Sequence, residues 1–241
     1  MVLPGEVIAG LVASFVVTPL TSTIDVAVSL SASGEVTVPR ALARGALRWI
    51  RTPLTMLGDP SFLLCWMVYI VTYSAANLIQ CVCTRQLLIS SVLPKLVGVT
   101  AFNMAACVYK DARVAQLVGK TDERPFPAVG YFLFFLRDLI ANGSGFVLPP
   151  LVAPLLTGYV AYARREMVAQ LLVPALANTV TSPMHFLALS LYNQPAFPLR
   201  KHAAAVASTY VGATSSRILK GLAGFGLGGV SNTALRARLV Q

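Results

Sequence analysis

At 241 residues, the chain is 56% hydrophobic and only 12% charged, with a mean hydropathy of +0.71. A soluble domain carries roughly twice that share of charge, so composition excludes a water-soluble fold. The formal net charge of +10 sits mainly at the ends of apolar runs, where it meets anionic headgroups; nucleic acid is not expected as a partner.

Six apolar runs follow in chain order: residues 7–17, 62–82, 96–108, 130–160, 167–192 and a weaker one within 203–230. With their flanks, most approach the ~20 residues that cross a bilayer. Lipid cannot satisfy open backbone, and the alternation of a transmembrane barrel is absent, so the expected fold class is an all-α membrane protein of six transmembrane helices. Short connectors leave no room for a soluble catalytic domain. The first residues, Met1 to Glu6, hold no Lys or Arg, so the first run reads as a retained helix rather than a leader.

Between the first two runs, Pro39 opens a short helix. Arg40, Arg44, Arg48 and Arg51 recur there at helical spacing, while Leu42, Ala46, Trp49 and Ile50 fall largely elsewhere on the wheel. This reads as an amphipathic surface helix with its Arg heads at lipid phosphates, holding a bound phospholipid such as cardiolipin. A solvated loop helix is the alternative. In the fourth run, Pro149, Pro150 and Pro154 are expected to kink or end the helix.

The runs pair with a period near 80 residues, giving one transmembrane domain, 1–241, with pseudo-repeats of about 1–85, 86–165 and 166–241. Connectors within pairs (31–60, 110–127 and 193–201) carry more Lys and Arg, Lys120 among them, than the joints between pairs and the tail. That bias places these connectors on the positive-inside face and both termini opposite.

Ionisable groups within a membrane are costly and are functional candidates by default. Asp25, Lys110, Asp111, Arg113, Arg137, Asp138, His185 and Arg217 are therefore candidate cavity or ion-pair residues. Arg137 and Asp138 are sequence neighbours that face different directions on a helix, so each is expected to find a partner elsewhere. Asp25 is expected to meet Arg137, Arg113 or Arg217. Structural pairing, a solute or proton pathway and contacts with a partner are the three readings these charges allow. His185 has no second ligand at metal spacing and reads as an interhelical hydrogen-bonding group. Cys65, Cys81, Cys83 and Cys107 read as small buried hydrophobes rather than as a metal site or disulfide framework. No metal or other cofactor is expected. Gly224 and Gly228 have the spacing of close helix contact. No nucleophile, base and orienting group assemble, so no enzyme is expected.

Several patches carry a resemblance. Ser14 to Pro19, Thr181-Ser-Pro183, and Arg44-Gly45 followed by Arg48, Arg51 and Pro53 resemble the mitochondrial carrier family. Thr72 to Asn77, Phe135 to Asp138, Phe146 to Pro150, Ser182 to His185 and Gly228 to Thr233 resemble a carrier-like group of mitochondrial membrane proteins, found largely in fungi, with no assigned substrate. That resemblance implies a carrier-like bundle in the mitochondrial inner membrane. The chain departs from it at the gates, where an acid should stand two residues after each kink proline and a base three further on. Thr21 and Ile24 follow Pro19, and His185 and Ala188 follow Pro183. The resemblance with its gates missing implies a carrier-derived, non-catalytic accessory subunit of a respiratory-chain or ATP-synthase assembly. Its partners would be membrane lipids and other subunits. The alternative is a solute transporter of the carrier type with unconventional gates.

Overall fold

Small polar residues do not interrupt the helices, because their hydroxyls bond back to their own helix. Ser14 donates to the Leu11 carbonyl (2.8 Å), Thr18 to Ser14 (2.7 Å) and Thr23 to Pro19 (2.8 Å). Such back-bonding satisfies a hydroxyl where no water is available. The first apolar run therefore continues as one long helix, α1 (Val2–Ala32), with Pro19 inside it. The computed structural model describes residues 2–119 and 124–240, so Lys120 lies outside the described residues.

Two short surface helices follow, α2 (Val38–Arg51) and α3 (Pro53–Leu57). Next is α4 (Pro60–Cys81), capped by the Asp59 side chain and extended by a π-helical turn, Val82–Gln86. Then come α5 (Val92–Gly119) and α6 (Ala128–Phe146). Pro149 and Pro150 stand in the short α7 (Leu148–Val152), and the chain bends by 53° where α6 gives way to it. The last long elements are α8 (Arg165–Asn193), with Pro174 and Pro183 inside it, and α9 (Leu199–Gly221). A π-helical segment, Leu222–Leu227, joins α9 to α10 (Gly228–Leu239).

The third run was expected to end at Val108, with Lys110, Asp111 and Arg113 in a connector. Instead α5 continues through them. Lys110 is 2% exposed and pairs with Asp25 and Asp111, so its charge is neutralised inside the bundle.

The long helices close into a ring in chain order. Helix α1 packs on α4, α4 on α5, α5 on α6, α6 on α8 and α8 on α9, while α10 returns to α1. Large apolar side chains such as Val16, Leu93, Phe132 and Val211 point outward, while Asp, Lys, Arg, Asn and Ser side chains are buried within. An apolar exterior around a polar interior suits lipid as the surrounding solvent.

Among the described residues, four helical stretches are long and apolar enough to cross a membrane: Leu3–Ala32, Pro60–Gln86, Val92–Leu117 and Tyr162–Asn193. The bent pair of α6 and the segment Leu148–Leu156 makes a fifth if counted as one span. The rod from α9 to α10 does not pass the same test, because Arg217, Lys220 and many small residues dilute its hydropathy. The six-span expectation thus becomes four or five candidate spans with a further, more polar rod completing the ring.

That rod approaches α4 closely. Tyr73 donates to the Gly224 carbonyl, and a Cβ on Gly224 would stand 2.8 Å from the Tyr69 hydroxyl. Glycine is needed there for the two helices to meet.

Candidate functional site

Asp25 lies about two turns from the connector end of α1. Its Oδ2 accepts from Lys110 Nζ of α5 (2.7 Å) and its Oδ1 from Lys220 of α9. One carboxylate therefore bridges three helices. Lys110 also pairs with its neighbour Asp111. Asp111 Oδ2 lies 3.5 Å from Arg137 Nη1 of α6 and 3.7 Å from His185 Nδ1 of α8.

Arg137 folds back on its own neighbour. Its Nε donates to Asp138 Oδ1 at 2.7 Å, and its guanidinium lies 4.4 Å from the Phe134 ring centroid. It also contacts His185 Nδ1. A guanidinium can only donate, so in that contact Nδ1 is the acceptor. His185 thus links α8 to α6, the interhelical role its sequence context favours.

Two expected pairings are corrected by this geometry. Arg137 pairs with Asp138 through Oδ1 alone, because a long Arg side chain can curl back over the turn that separates adjacent Cβ directions. Asp25 meets Lys110 and Lys220 rather than any arginine, since α5 and α9 bring the two amines to it. Arg113 stands apart: it is half-buried and donates to Gln116 on its own helix (2.8 Å).

Lys110, Arg137 and Arg217 thus share a buried layer with the carboxylates of Asp25, Asp111 and Asp138, and the half-buried Lys220 reaches it from α9, leaving one cation in excess. A cavity of about 60 Å³ within this layer is lined by Asp25, Lys110, Arg137, Asp138, Arg217 and Lys220, with Tyr69, Thr72, Asn103, Asn178 and the thiols of Cys65 and Cys107. That is room for a few waters.

Both ends of the cavity are sealed. Toward the connectors, Phe126 stacks on Tyr192 with centroids 4.2 Å apart, within an apolar layer that includes Val28, Phe134 and Leu189. Arg124 donates to the Tyr192 and Asn193 carbonyls, and Gln116 to the Tyr192 hydroxyl (3.0 Å). Toward the termini, beyond the Tyr73–Gly224 contact, Asn77 and Asn232 exchange amide hydrogen bonds of 2.9 and 2.8 Å. Arg236 then grips Glu6 through two bonds, 2.5 and 3.0 Å, and Gln80 through a third, 3.1 Å.

Sequence reasoning missed Lys220, Glu6 and Arg236. Lys220 follows Arg217 by one helical turn, a spacing that puts both on one face. Glu6, an acid opening an apolar helix, was the other available signal. On α2, Val38 and Ala41 are buried while Arg40, Arg44, Arg48 and Arg51 are exposed. Arg48 lies 3.4 Å from Asp59, and Trp49 donates to Thr23 (3.1 Å).

A family model described as "Probable citrulline exporter" matches residues 9–240. The chain belongs to this family. A comparison with curated proteins found no match.

Membership of a family of probable citrulline exporters overturns the resemblance to mitochondrial carriers and to their fungal carrier-like group. It also overturns the accessory-subunit reading, and the placement in the mitochondrial inner membrane loses the resemblance it stood on. Of the carrier gate positions, Thr21, Ile24 and Ala188 carry no charge and His185 joins the layer around Asp25, Asp111 and Asp138, where this bundle makes its buried ion pairs. Missing carrier gates were therefore no sign of a lost pathway.

Proposed function

We propose that the chain is a multi-pass membrane transporter that exports citrulline, a zwitterionic amino acid with an uncharged ureido side chain, through the central polar layer. The observation that carries this reading is the charged cavity sealed at both ends. Opening the Tyr192 side and the Glu6–Arg236 side in alternation would expose the same groups to each face in turn. A zwitterion suits such a layer because it brings one charge of each sign and leaves the net charge unchanged when it enters or leaves. The cavity is smaller than the amino acid, so in this reading the layer widens as either side opens to admit it. In this reading all six rods of the ring cross the membrane, arranged as three pairs, and transport proceeds with no cofactor and no covalent chemistry.

The test is counterflow in liposomes containing only the purified chain. Labelled citrulline is expected to accumulate in vesicles preloaded with unlabelled citrulline, and to saturate. Flux equal to that of protein-free vesicles would overturn the reading.

Membrane lipid is the partner this reading retains. The exposed Arg row of α2 beside its buried Val38 and Ala41 supports contact with anionic headgroups, each base adding about 1 kcal/mol near such a surface. Changing Arg44 and Arg48 to Gln is expected to lower several-fold the anionic phospholipid retained through purification, measured by lipid mass spectrometry. Unchanged retention would remove α2 from lipid binding.

A further inference from the structure

We propose that Arg217 and Asp138 are the two poles of an α-amino-acid site, Arg217 receiving the α-carboxylate and Asp138 the α-ammonium. The proposal rests on the exporter reading and deepens it. Among the described residues, the other cations of the layer each have a carboxylate: Lys110 and Lys220 share Asp25, and Arg137 holds Asp138. Arg217 is as deeply placed, at 6% exposure, yet its Nε has no hydrogen-bond partner and no carboxylate stands at ion-pair distance. A buried guanidinium left in this way is strongly disfavoured unless an anion completes it.

Asp138 shows the opposite deficiency. Its Oδ1 is taken by Arg137, while its Oδ2 is buried with no partner. Both side chains line the one cavity. A guanidinium with an unused donor and a carboxylate with an unused acceptor, in two side chains that line the same cavity, match the two charged groups of an amino acid. Arg presents the fork that a carboxylate accepts in bidentate fashion, and an ammonium donates readily to a carboxylate. The Asn103 and Asn178 side chains in the same lining supply amides, whose hydrogen-bonding character matches that of a ureido group.

Three compounds test this in the reconstituted protein: citrulline, its carboxamide, which lacks the carboxylate, and its α-N-acetyl derivative, which lacks the ammonium. Wild type is expected to prefer citrulline over each by at least about tenfold, because a buried site left with an unpaired charge rejects the analogue. Arg217→Gln is expected to lose the preference over the carboxamide and keep that over the acetyl compound. Asp138→Asn is expected to do the reverse. Wild-type selectivity is read without any variant, so it stands even where a variant fails to fold. If wild type moves citrulline but accepts all three compounds alike, the site assignment falls and the exporter reading survives. The same holds if both variants slow all three compounds in parallel. If wild type moves no citrulline, the exporter reading falls and takes the site with it.

Discussion

Asp25→Asn is expected to destabilise the protein by about 3–5 kcal/mol, the usual consequence of removing one partner from a buried ion pair. Lys110 would keep Asp111, but Lys220 would lose its carboxylate and remain largely buried, at 18% side-chain exposure. For a chain of this length the loss corresponds to a fall in melting temperature on the order of 10 °C. Thermal unfolding in mild detergent measures it. The compensating variant Asp25→Asn with Lys220→Met removes the orphaned cation and is expected to recover most of the loss. A single variant as stable as wild type would mean that the Lys110–Asp25–Lys220 bridge does not hold α1, α5 and α9 together.

Glu6→Ala is expected to open the terminal seal. Arg236 would lose both bonds to Glu6 and keep Gln80. Charge-assisted hydrogen bonds contribute about 1.5–3 kcal/mol, and partial exposure of Arg236, at 21%, argues for the lower figure. That shifts the balance between sealed and open forms roughly tenfold. Cys107 lines the cavity and serves as the reporter once Cys65, Cys81 and Cys83 are changed to Ser. A membrane-impermeant thiol reagent applied to the terminal face is expected to modify Cys107 about tenfold faster in the Glu6 variant than in the parent. The rate from the connector face should not change, because the Phe126–Tyr192 seal is untouched. Equal acceleration from both faces would indicate general loosening rather than a latch.

The resemblance to mitochondrial carriers shows where sequence reasoning went astray. Its patches paired helix-kinking prolines with small polar residues, and any membrane helix that bends around a polar interior uses both. Thr21 bonds to the Thr18 carbonyl, and His185 joins a network with Arg137. Both have structural work in this bundle, so their departure from a carrier gate said nothing about whether solute passes.

The sequence by itself determined the helical membrane class, since lipid leaves the backbone no other solvent. It determined the break at Pro149 and Pro150, where ring nitrogens cannot donate, and it located most of the costly intramembrane charges. Which charge meets which was decided only in the tertiary structure. Asp25 and Lys220 lie 195 residues apart, while Arg137 reaches a neighbour one residue away. Helical spacing describes the face on which a side chain stands. Pairing depends also on which helix stands opposite, at what depth, and how far a flexible Lys or Arg extends. The vacant donor of Arg217 and the vacant acceptor of Asp138 exist only once every other partner has been placed.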